Sequence, residues 1–232
     1  MSGLRPPPFK CVVTRTPSLG RFWRLKNLKL NKKVIFTLLI IFFVQGQAFM
    51  GSFYTATLYP NEKNEDVKKI LKGRNFFICS KTDNYNLVSE EKMDEQNQVV
   101  IKDFVKKLST TTEKPIITYM IHDSDVLWFS IYKNGKEIFI LDNTDEYFSG
   151  GKFILKEKED ISKIFNIDKN LWKREITKAK FEECLFADEF LMTLIKILKL
   201  PIWVEGIGYN YLSEDEDFIS HLKDDGVKIE KY

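Results

Sequence analysis

The chain has 232 residues, of which 44% are hydrophobic, and it carries 36 basic and 33 acidic side chains. Its 19 Phe and its low content of Gly (11) and Pro (7) exclude a fibrous or disordered chain. They predict a globular core that is rich in aromatic rings.

Charge is divided unevenly along the chain. Residues 1–61 hold nine basic side chains and no acidic one, so residues 62–232 hold the other 27 basic and all 33 acidic side chains, a net charge of −6. Nucleic-acid-binding domains concentrate Lys and Arg on the fold itself, so this distribution argues against a nucleic-acid partner. A basic tail that binds RNA is the alternative. It is disfavoured because this tail continues into an apolar segment.

The N-terminal region has the pattern of a membrane-targeting segment. Its apolar centre is Val34–Val44, within an uncharged run from Val34 to Tyr59. A basic flank before an apolar run is typical of membrane anchors and of secretion signals. We therefore divide the chain into a basic leader over 1–33, expected to be disordered, an apolar membrane or signal segment over 34–54, and one globular domain over 50–232. The nine cations of the leader are Arg5, Lys10, Arg15, Arg21, Arg24, Lys26, Lys29, Lys32 and Lys33.

Three interpretations of residues 34–54 stay open from the sequence. As an uncleaved anchor, its 21 uncharged residues match the roughly 20 that a bilayer core needs, although Gln45 and Gln47 lie among them. As a cleaved signal, the apolar centre has a suitable length and Gly46-Gln47-Ala48 has the spacing of a cleavage site. In the third interpretation the segment is neither an anchor nor a signal. It is then a buried strand or helix of the core, or residues 1–49 are an overextended reading of the gene and Met50 is the true start of a cytoplasmic protein.

The leader also predicts an orientation. Basic segments beside an apolar span stay in the cytoplasm, so we expect a membrane-associated chain with a cytoplasmic N-terminus and an extracytoplasmic domain. A cleaved signal would instead give a secreted domain. The membrane, reached through residues 34–54, is therefore an expected partner.

Hydrophobic periodicity and turn residues predict a mixture of strands and helices after the leader. Strands are predicted over 48–59, 75–80, 116–121, 126–132, 137–141, 202–204 and 227–229. Helices are predicted over 61–72, 91–108, 159–165, 171–180, 186–199 and 214–222. Turns are predicted over 82–86, 142–151 and 206–209, the last without a helix after it.

The strongest fold signal is a meander of three strands. Asn134-Gly135 lies between the last two strands and tolerates the positive φ angles of a type I′ hairpin turn. A polar turn, His122–Asp125, joins the first two strands. The predicted class is α+β, with an antiparallel sheet built around a central meander at about 116–141 and with helices packed on one face.

The polar turn also contains the chain's only pattern that suggests metal chemistry. Asp123 and Asp125 follow a strand as Asp-x-Asp, and paired carboxylates can hold Mg²⁺ or Mn²⁺, as in glycosyltransferases. Asp and Ser also stabilise turns by bonding to their own backbone, and no Gly-rich phosphate loop accompanies the pair. The turn interpretation is therefore favoured, and a metal site stays the alternative.

Other chemistry has little support. Ser124 and Cys184 would each need a positioned base, and the only histidines are His122 and His221. Two Glu precede Cys184 and would raise the pKa of its thiol. No catalytic residue and no cofactor is predicted.

Cysteine usage is equally unspecific. Cys11, Cys79 and Cys184 have no spacing of a disulfide framework or a zinc site. Buried free thiols are favoured, and a Cys79–Cys184 bridge stays open for an exported domain.

A set of short motifs occurs in an order that resembles an uncharacterised bacterial α+β domain family. The motifs are a His-Asp-x-Asp-Val-Leu turn at 122–127, Asp-Glu-Tyr-Phe at 145–148, Leu-Pro at 200–201 and Gly-x-Gly-Tyr at 206–209. The resemblance covers roughly 50–212. It implies that the domain begins near Met50 and that the leader is an addition to it, and it implies no activity.

These observations lead to a functional hypothesis. We expect a non-enzymatic domain, membrane-tethered or exported, that binds an unknown protein partner. Its candidate ligand loop comprises His122, Asp123, Asp125, Tyr147 and Phe148. For the segment of Tyr147 and Phe148, aromatic packing on the meander with a glycine turn is the favoured interpretation, and the ligand loop is the alternative. The alternatives are a small metal-dependent enzyme that uses Asp123 and Asp125, and a soluble intracellular interaction protein that starts at Met50.

Overall fold

A computed structural model of the protein describes residues 52–178 and 187–232. These residues form an α+β fold around one antiparallel sheet of eight strands, in the order β7-β6-β5-β4-β1-β3-β2-β8. The strands are β1 (Phe53–Pro60), β2 (Phe76–Ser80), β3 (Tyr85–Glu90), β4 (Ile116–His122), β5 (Val126–Lys133), β6 (Lys136–Asp142), β7 (Ile154–Glu157) and β8 (Lys228–Lys231).

Nine α-helices lie in the described ranges. They are α1 (Asn64–Ile70), α2 (Glu91–Asp94), α3 (Gln98–Ser109), α4 (Thr144–Ser149), α5 (Ile161–Ile164), α6 (Lys169–Lys178), α7 (Ala187–Ile197), α8 (Tyr209–Glu214) and α9 (Glu216–Asp224). Short 3₁₀ helices occupy Asn61–Lys63 and Ile202–Val204.

The predicted meander is confirmed as β4, β5 and β6. Asn134 and Gly135 both have positive φ angles, 50° and 72°, as a type I′ turn requires. In the preceding turn, Asp123 and Ser124 also have positive φ angles, 54° and 53°, and the Asp125 N–H donates to the His122 carbonyl at 3.2 Å. Both hairpins are therefore tight and fix the register of the sheet centre.

The helices cover both faces of the sheet, so the prediction of helices on one face is wrong. Successive side chains of a strand point to opposite faces. On β4, Ile117, Tyr119 and Ile121 belong to one core cluster, whereas Ile116 and Met120 belong to a second. Both faces of this central strand are thus apolar, and each needs a cover.

Different helices supply the two covers. The first cluster contains side chains of α6, α7, α8 and α9, such as Trp172 and Leu191. The second contains side chains of α1, α2 and α3, such as Val67 and Phe104. The sheet is therefore the middle layer of three.

Several predicted boundaries also change. The predicted helix 91–108 is two helices, because Gln96 adopts a positive φ of 61° and Asn97 caps α3 with its side-chain oxygen. Strand β3 begins inside the predicted turn 82–86, and α4 lies inside the predicted turn 142–151. Residues 202–204 form a 3₁₀ helix and not a strand, and 206–209 does lead into a helix, α8.

Parts of the N-terminal predictions fall outside the described residues. These parts are the basic leader 1–33, residues 34–51 of the apolar segment, and the candidate start at Met50. The last two residues of that segment, Phe53 and Tyr54, begin β1. None of the described helices combines the length and apolarity that a membrane crossing requires.

Candidate functional site

Four rings form a contiguous cluster where β1 begins and β4 ends, and we call it the aromatic patch: Phe53, His122, Tyr147 and Phe148. The His122 ring lies between two phenyl rings, with its centroid 4.8 Å from that of Phe53 and 5.0 Å from that of Phe148. Tyr147 extends the row, 5.1 Å from Phe148. All three contacts are edge-to-face, the geometry that aromatic quadrupoles favour.

The patch is open to solvent. Relative exposure is 40% for Phe53, 44% for Tyr147 and 57% for Phe148. Only six large hydrophobic residues are exposed in the described part of the chain, and these three lie together. Single exposed hydrophobics are ordinary, whereas a contiguous group marks an interaction surface more often than chance.

Strand pairing places two of the rings. Phe53 and His122 are direct partners in the β1–β4 register, so their side chains lie on the same face of the sheet. The Phe53 N–H donates to the Tyr211 hydroxyl at 3.2 Å, which ties the start of β1 to α8. Phe53 is not predicted as a site residue from the sequence, because only the long-range pairing of β1 with β4 brings it to the patch.

Asn143 places the other two rings. Its side-chain oxygen accepts from the Leu127 N–H at 2.8 Å, and its side-chain amide donates to the Asp125 carbonyl at 3.0 Å. These bonds hold the residue that precedes α4 against the hairpin that follows His122. Tyr147 and Phe148 lie on α4, and Gly150 ends this helix in a left-handed conformation (φ 67°).

Gln96 orients the His122 ring. Its side-chain amide donates to the Ile121 carbonyl at 2.7 Å, so its side-chain oxygen faces His122 Nδ1 at 2.5 Å. Because that oxygen can only accept, Nδ1 carries the proton. Desolvation lowers the pKa of His122, although the nearby Asp123 carboxylate opposes this. A lowered pKa favours the neutral ring at pH 7.

Acidic residues are frequent in the segments that carry the rings. The segments 52–54, 122–125 and 143–151 contain four exposed acidic side chains, and the exposed Lys152 directly follows the last of them. The four are Asp123, Asp125, Asp145 and Glu146.

Ser124 belongs to the framework of this site. Its hydroxyl accepts from the Ser52 N–H at 2.9 Å, and its carbonyl accepts from the Ala187 N–H at 2.7 Å. The turn is therefore fixed to the start of β1 and to the start of α7.

The structure brings together only part of the predicted metal pattern. Asp123 and Asp125 lie on the exposed tip of the β4–β5 hairpin. Within 52–178 and 187–232, no three His, Cys, Asp or Glu side chains are grouped closely enough to hold a metal ion. A metal ion at Asp123 and Asp125 would therefore need ligands other than a third His, Cys, Asp or Glu side chain of the described residues. The metal site stays a prediction.

A second motif region is buried. Asp94, which no sequence motif marks, accepts from the Thr55 N–H at 2.8 Å and from the Asn210 N–H at 2.9 Å. Its carboxylate thereby joins β1 to the first turn of α8, just after Gly208. Burial raises the pKa of Asp94 to about 6, although the backbone donors oppose this.

Gly208 explains the Gly-x-Gly-Tyr motif in steric terms. A Cβ at this position would lie 2.6 Å from Tyr54 Cβ and 3.2 Å from Asp94 Oδ1. Gly206 has a different role, since it adopts a φ of +72° with no atom near its missing Cβ. The motif therefore serves packing and backbone geometry.

The remaining candidates are remote from the patch or undescribed. His221 is exposed on α9, as expected for a solvated helix face. Cys79 is a free, buried thiol. Burial raises the pKa of Cys79 to about 12, so its reactive thiolate form is scarcely populated at neutral pH. Cys184 lies outside the described residues.

Comparisons add no relatives. No protein-family model, curated protein or solved structure matches the chain. The resemblance to a bacterial domain family therefore stays a prediction.

Proposed function

We propose that the chain is a non-enzymatic protein-binding module, anchored in or exported across a membrane through residues 34–54, with the aromatic patch as its docking surface. The observation that carries the proposal is the shared exposure of Phe53, Tyr147 and Phe148 on one patch. Burying such a side chain fully contributes about 1.5–3 kcal/mol, and here that contribution is only partly realised.

A partner can recover the missing burial. Aromatic side chains dominate the energetic centres of protein interfaces, because they bury a large area with little rotamer freedom to lose. The patch is also held in place before binding, since Asn143 and Gln96 fix α4 and His122 by hydrogen bonds. A surface that is ordered beforehand avoids part of the entropic cost of association.

Photo-crosslinking in cells that express the full chain tests the docking surface. We would place a photoreactive phenylalanine analogue at position 148 and, as a control, at position 202. Ile202 is 64% exposed, and its neighbour Trp203 donates to Asp83 in the β2–β3 turn, at the end of β1 opposite the patch.

We expect a discrete protein adduct from position 148 and not from position 202, and we expect Phe53→Ser to remove it. In separate variants the analogue would also be placed at positions 53 and 147. The proposal is wrong if none of positions 53, 147 and 148 forms an adduct, or if position 202 forms the same adduct.

The membrane part of the proposal needs a separate measurement. Protease added outside intact cells or spheroplasts should reach the domain of the full chain, whereas a tag before Arg5 should stay protected. A chain found in the soluble cytoplasmic fraction, starting at Met50, would contradict anchoring and export but would leave the docking surface untouched.

A further inference from the structure

We infer that the aromatic patch docks a partner that is itself an integral membrane protein of the bilayer in which residues 34–54 are anchored. This inference rests on the proposed function, takes the anchored of its two membrane arrangements, and adds the class of the partner. It combines three observations: the place of the patch on the sheet, the number of residues between the apolar centre and β1, and the small area of the exposed rings.

Exposed hydrophobic residues gather at one end of the sheet, the end at which β1 begins, and we call it the entry end. Antiparallel pairing places the ends of β4 and β6 and the start of β2 at this end. Helix α4, which connects β6 to β7, carries Tyr147 and Phe148 there. Of the six large hydrophobic residues exposed in the described ranges, five lie at the entry end, and Ile202 lies at the opposite end.

Hydrogen bonds place the two of these five that lie outside the patch. Gln98 Nε2 donates to Thr144 Oγ1 at 3.3 Å, so Val99 lies in the turn of α3 that adjoins the start of α4. Tyr232 and Phe76 exchange backbone hydrogen bonds of 2.9 and 3.3 Å, so Tyr232 lies beside the start of β2. The apolar exposure of the domain is thus concentrated at the entry end and is not spread over the surface.

The chain enters the domain at this same end. Phe53 is nine residues after Val44, the last residue of the apolar centre, and nine fully extended residues span at most about 30 Å. With the apolar centre in the bilayer, Phe53 stays within that distance of the membrane surface. A folded domain of about 100 residues, with a radius of gyration of about 13 Å, is about as wide as that gap. A soluble partner therefore has little room on the bilayer side of the patch, whereas a protein in the membrane already occupies this layer.

The small area of the patch also favours a partner that is confined to the membrane. Aromatic side chains bury about 150–250 Å² each, so the exposed fractions of Phe53, Tyr147 and Phe148 together offer roughly 300 Å². A stable interface between soluble proteins buries about 800 Å² on each partner. Two proteins anchored in one membrane meet at a raised effective concentration, so a smaller patch suffices for them.

A protein surface fits the patch better than the lipid does. Asp145 lies three residues before Phe148 on α4, so the two side chains project from the same side of this helix, and both residues are exposed. Inserting the Phe148 ring into the bilayer would carry the Asp145 carboxylate towards the hydrocarbon, which is costly. A protein partner can cover the ring and leave the carboxylate in water.

A longer tether tests the inference in cells that express the full chain. We would insert about 40 residues of Gly-Ser repeats between Met50 and Gly51 and measure the yield of protein adduct from the photoreactive analogue at position 148. The control appends the same repeats after Tyr232. Effective concentration falls roughly as the −3/2 power of tether length, so a tether that grows from about 10 to about 50 residues should lower the yield about tenfold. The control should leave the yield unchanged.

A cleavage site for a specific protease, inserted at the same junction, identifies where the partner resides. After irradiation, the chain would be cut in opened membranes, which are then washed with alkaline carbonate. We expect the domain without a crosslink to be released by the cut. The protein adduct should stay with the membrane until detergent is added, because the partner holds it there.

The outcomes separate this inference from the proposed function. Release of the adduct together with the cut domain, or equal yields from the insertion and its control, overturns the membrane partner and leaves the docking surface standing. A domain that is found in the medium without residues 34–54 has the same consequence. Adducts with lipid alone, or no adduct from positions 53, 147 and 148, overturn both proposals.

Discussion

The buried Asp94–Gly208 region and the exposed aromatic patch both contain motif residues, but they differ in what explains them. Around Gly208, Tyr54 Cβ packs against the position of the missing Cβ, and the Thr55 and Asn210 N–H groups both donate to Asp94. Around Phe148 the fold supplies edge-to-face contacts and leaves the residue 57% exposed.

The difference separates residues that the fold requires from residues that folding does not account for. Removing a packing or hydrogen-bonding group from the first region should cost stability. Removing a ring from the second should cost little stability and should act on binding. The following predictions test this distinction.

The largest effect is expected at Gly208. Gly208→Ala would place a Cβ 2.6 Å from Tyr54 Cβ, so β1 and the start of α8 would have to move apart. We expect the free energy of unfolding to fall by about 3 kcal/mol, as measured by urea denaturation of the full chain.

Gly206→Asn is the matched control for Gly208. No atom lies near the missing Cβ of Gly206, and Asn visits the left-handed region readily. Its cost should stay below about 1 kcal/mol. Equal costs at the two glycines would mean that the close approach to Tyr54 does not constrain the fold.

Asp94→Asn should have the next largest effect. An amide nitrogen cannot accept, so either the Thr55 or the Asn210 N–H loses its partner. We expect a loss of about 2 kcal/mol at pH 4, where the wild-type carboxyl is largely protonated in the folded state.

The penalty of Asp94→Asn should depend on pH. Burial raises the folded-state pKa of Asp94 from 3.8 to about 6, so between these values the folded state holds a proton that the unfolded state has released. Wild-type stability from this group is therefore highest below about pH 4 and falls as the pH rises through 6, by at most roughly 3 kcal/mol. Asn lacks this titration, so the penalty should shrink towards pH 7. A penalty that grows with pH would contradict the burial argument.

The sequence predicted the elements whose signals are local. Asn134-Gly135 defines a hairpin by itself, and the apolar stripe of α7 is visible in Phe190, Leu191 and Leu194. Strand β3 was missed because Tyr85 and Asn86 resemble a polar turn. They join the sheet through pairing with Tyr59 and Pro60 on β1, which no local pattern announces.

The grouping of the candidate-site residues was predictable to a similar extent, whereas their role as a ligand site stays a prediction. His122, Tyr147 and Phe148 were proposed as a ligand loop from their turn and their acidic neighbours, and the structure does bring these three rings together. Phe53 and Asp94 were not predicted, because each acquires its role from residues distant in sequence. Phe53 contacts the His122 ring, and Asp94 bonds Thr55, which is 39 positions away. Long-range contacts were thus the limit in both cases.

Phe148→Ser should change stability by less than about 0.5 kcal/mol, in contrast to Gly208→Ala, because the side chain is mostly exposed. Thermal unfolding of the two variants side by side makes the comparison. A loss comparable to that of Gly208→Ala would show that the ring belongs to the fold, and the patch would lose its standing as a docking surface.

The smallest effect is expected on the titration of His122. Desolvation lowers its pKa, and the Phe148 ring, 5.0 Å away, is part of its cover. Phe148→Ser should admit water and raise the pKa of His122 towards its ordinary value, whereas Asp123→Asn removes a carboxylate that favours the charged ring and should lower the pKa further. NMR titration of the imidazole protons measures both changes.

Because the folded-state pKa of His122 lies below the unfolded one, this histidine makes the protein less stable as the pH falls through the ordinary range of the imidazole. Phe148→Ser should reduce that loss of stability. Shifts in the same direction for both variants would mean that the ring does not shield His122, and that the patch is more open than its edge contacts indicate.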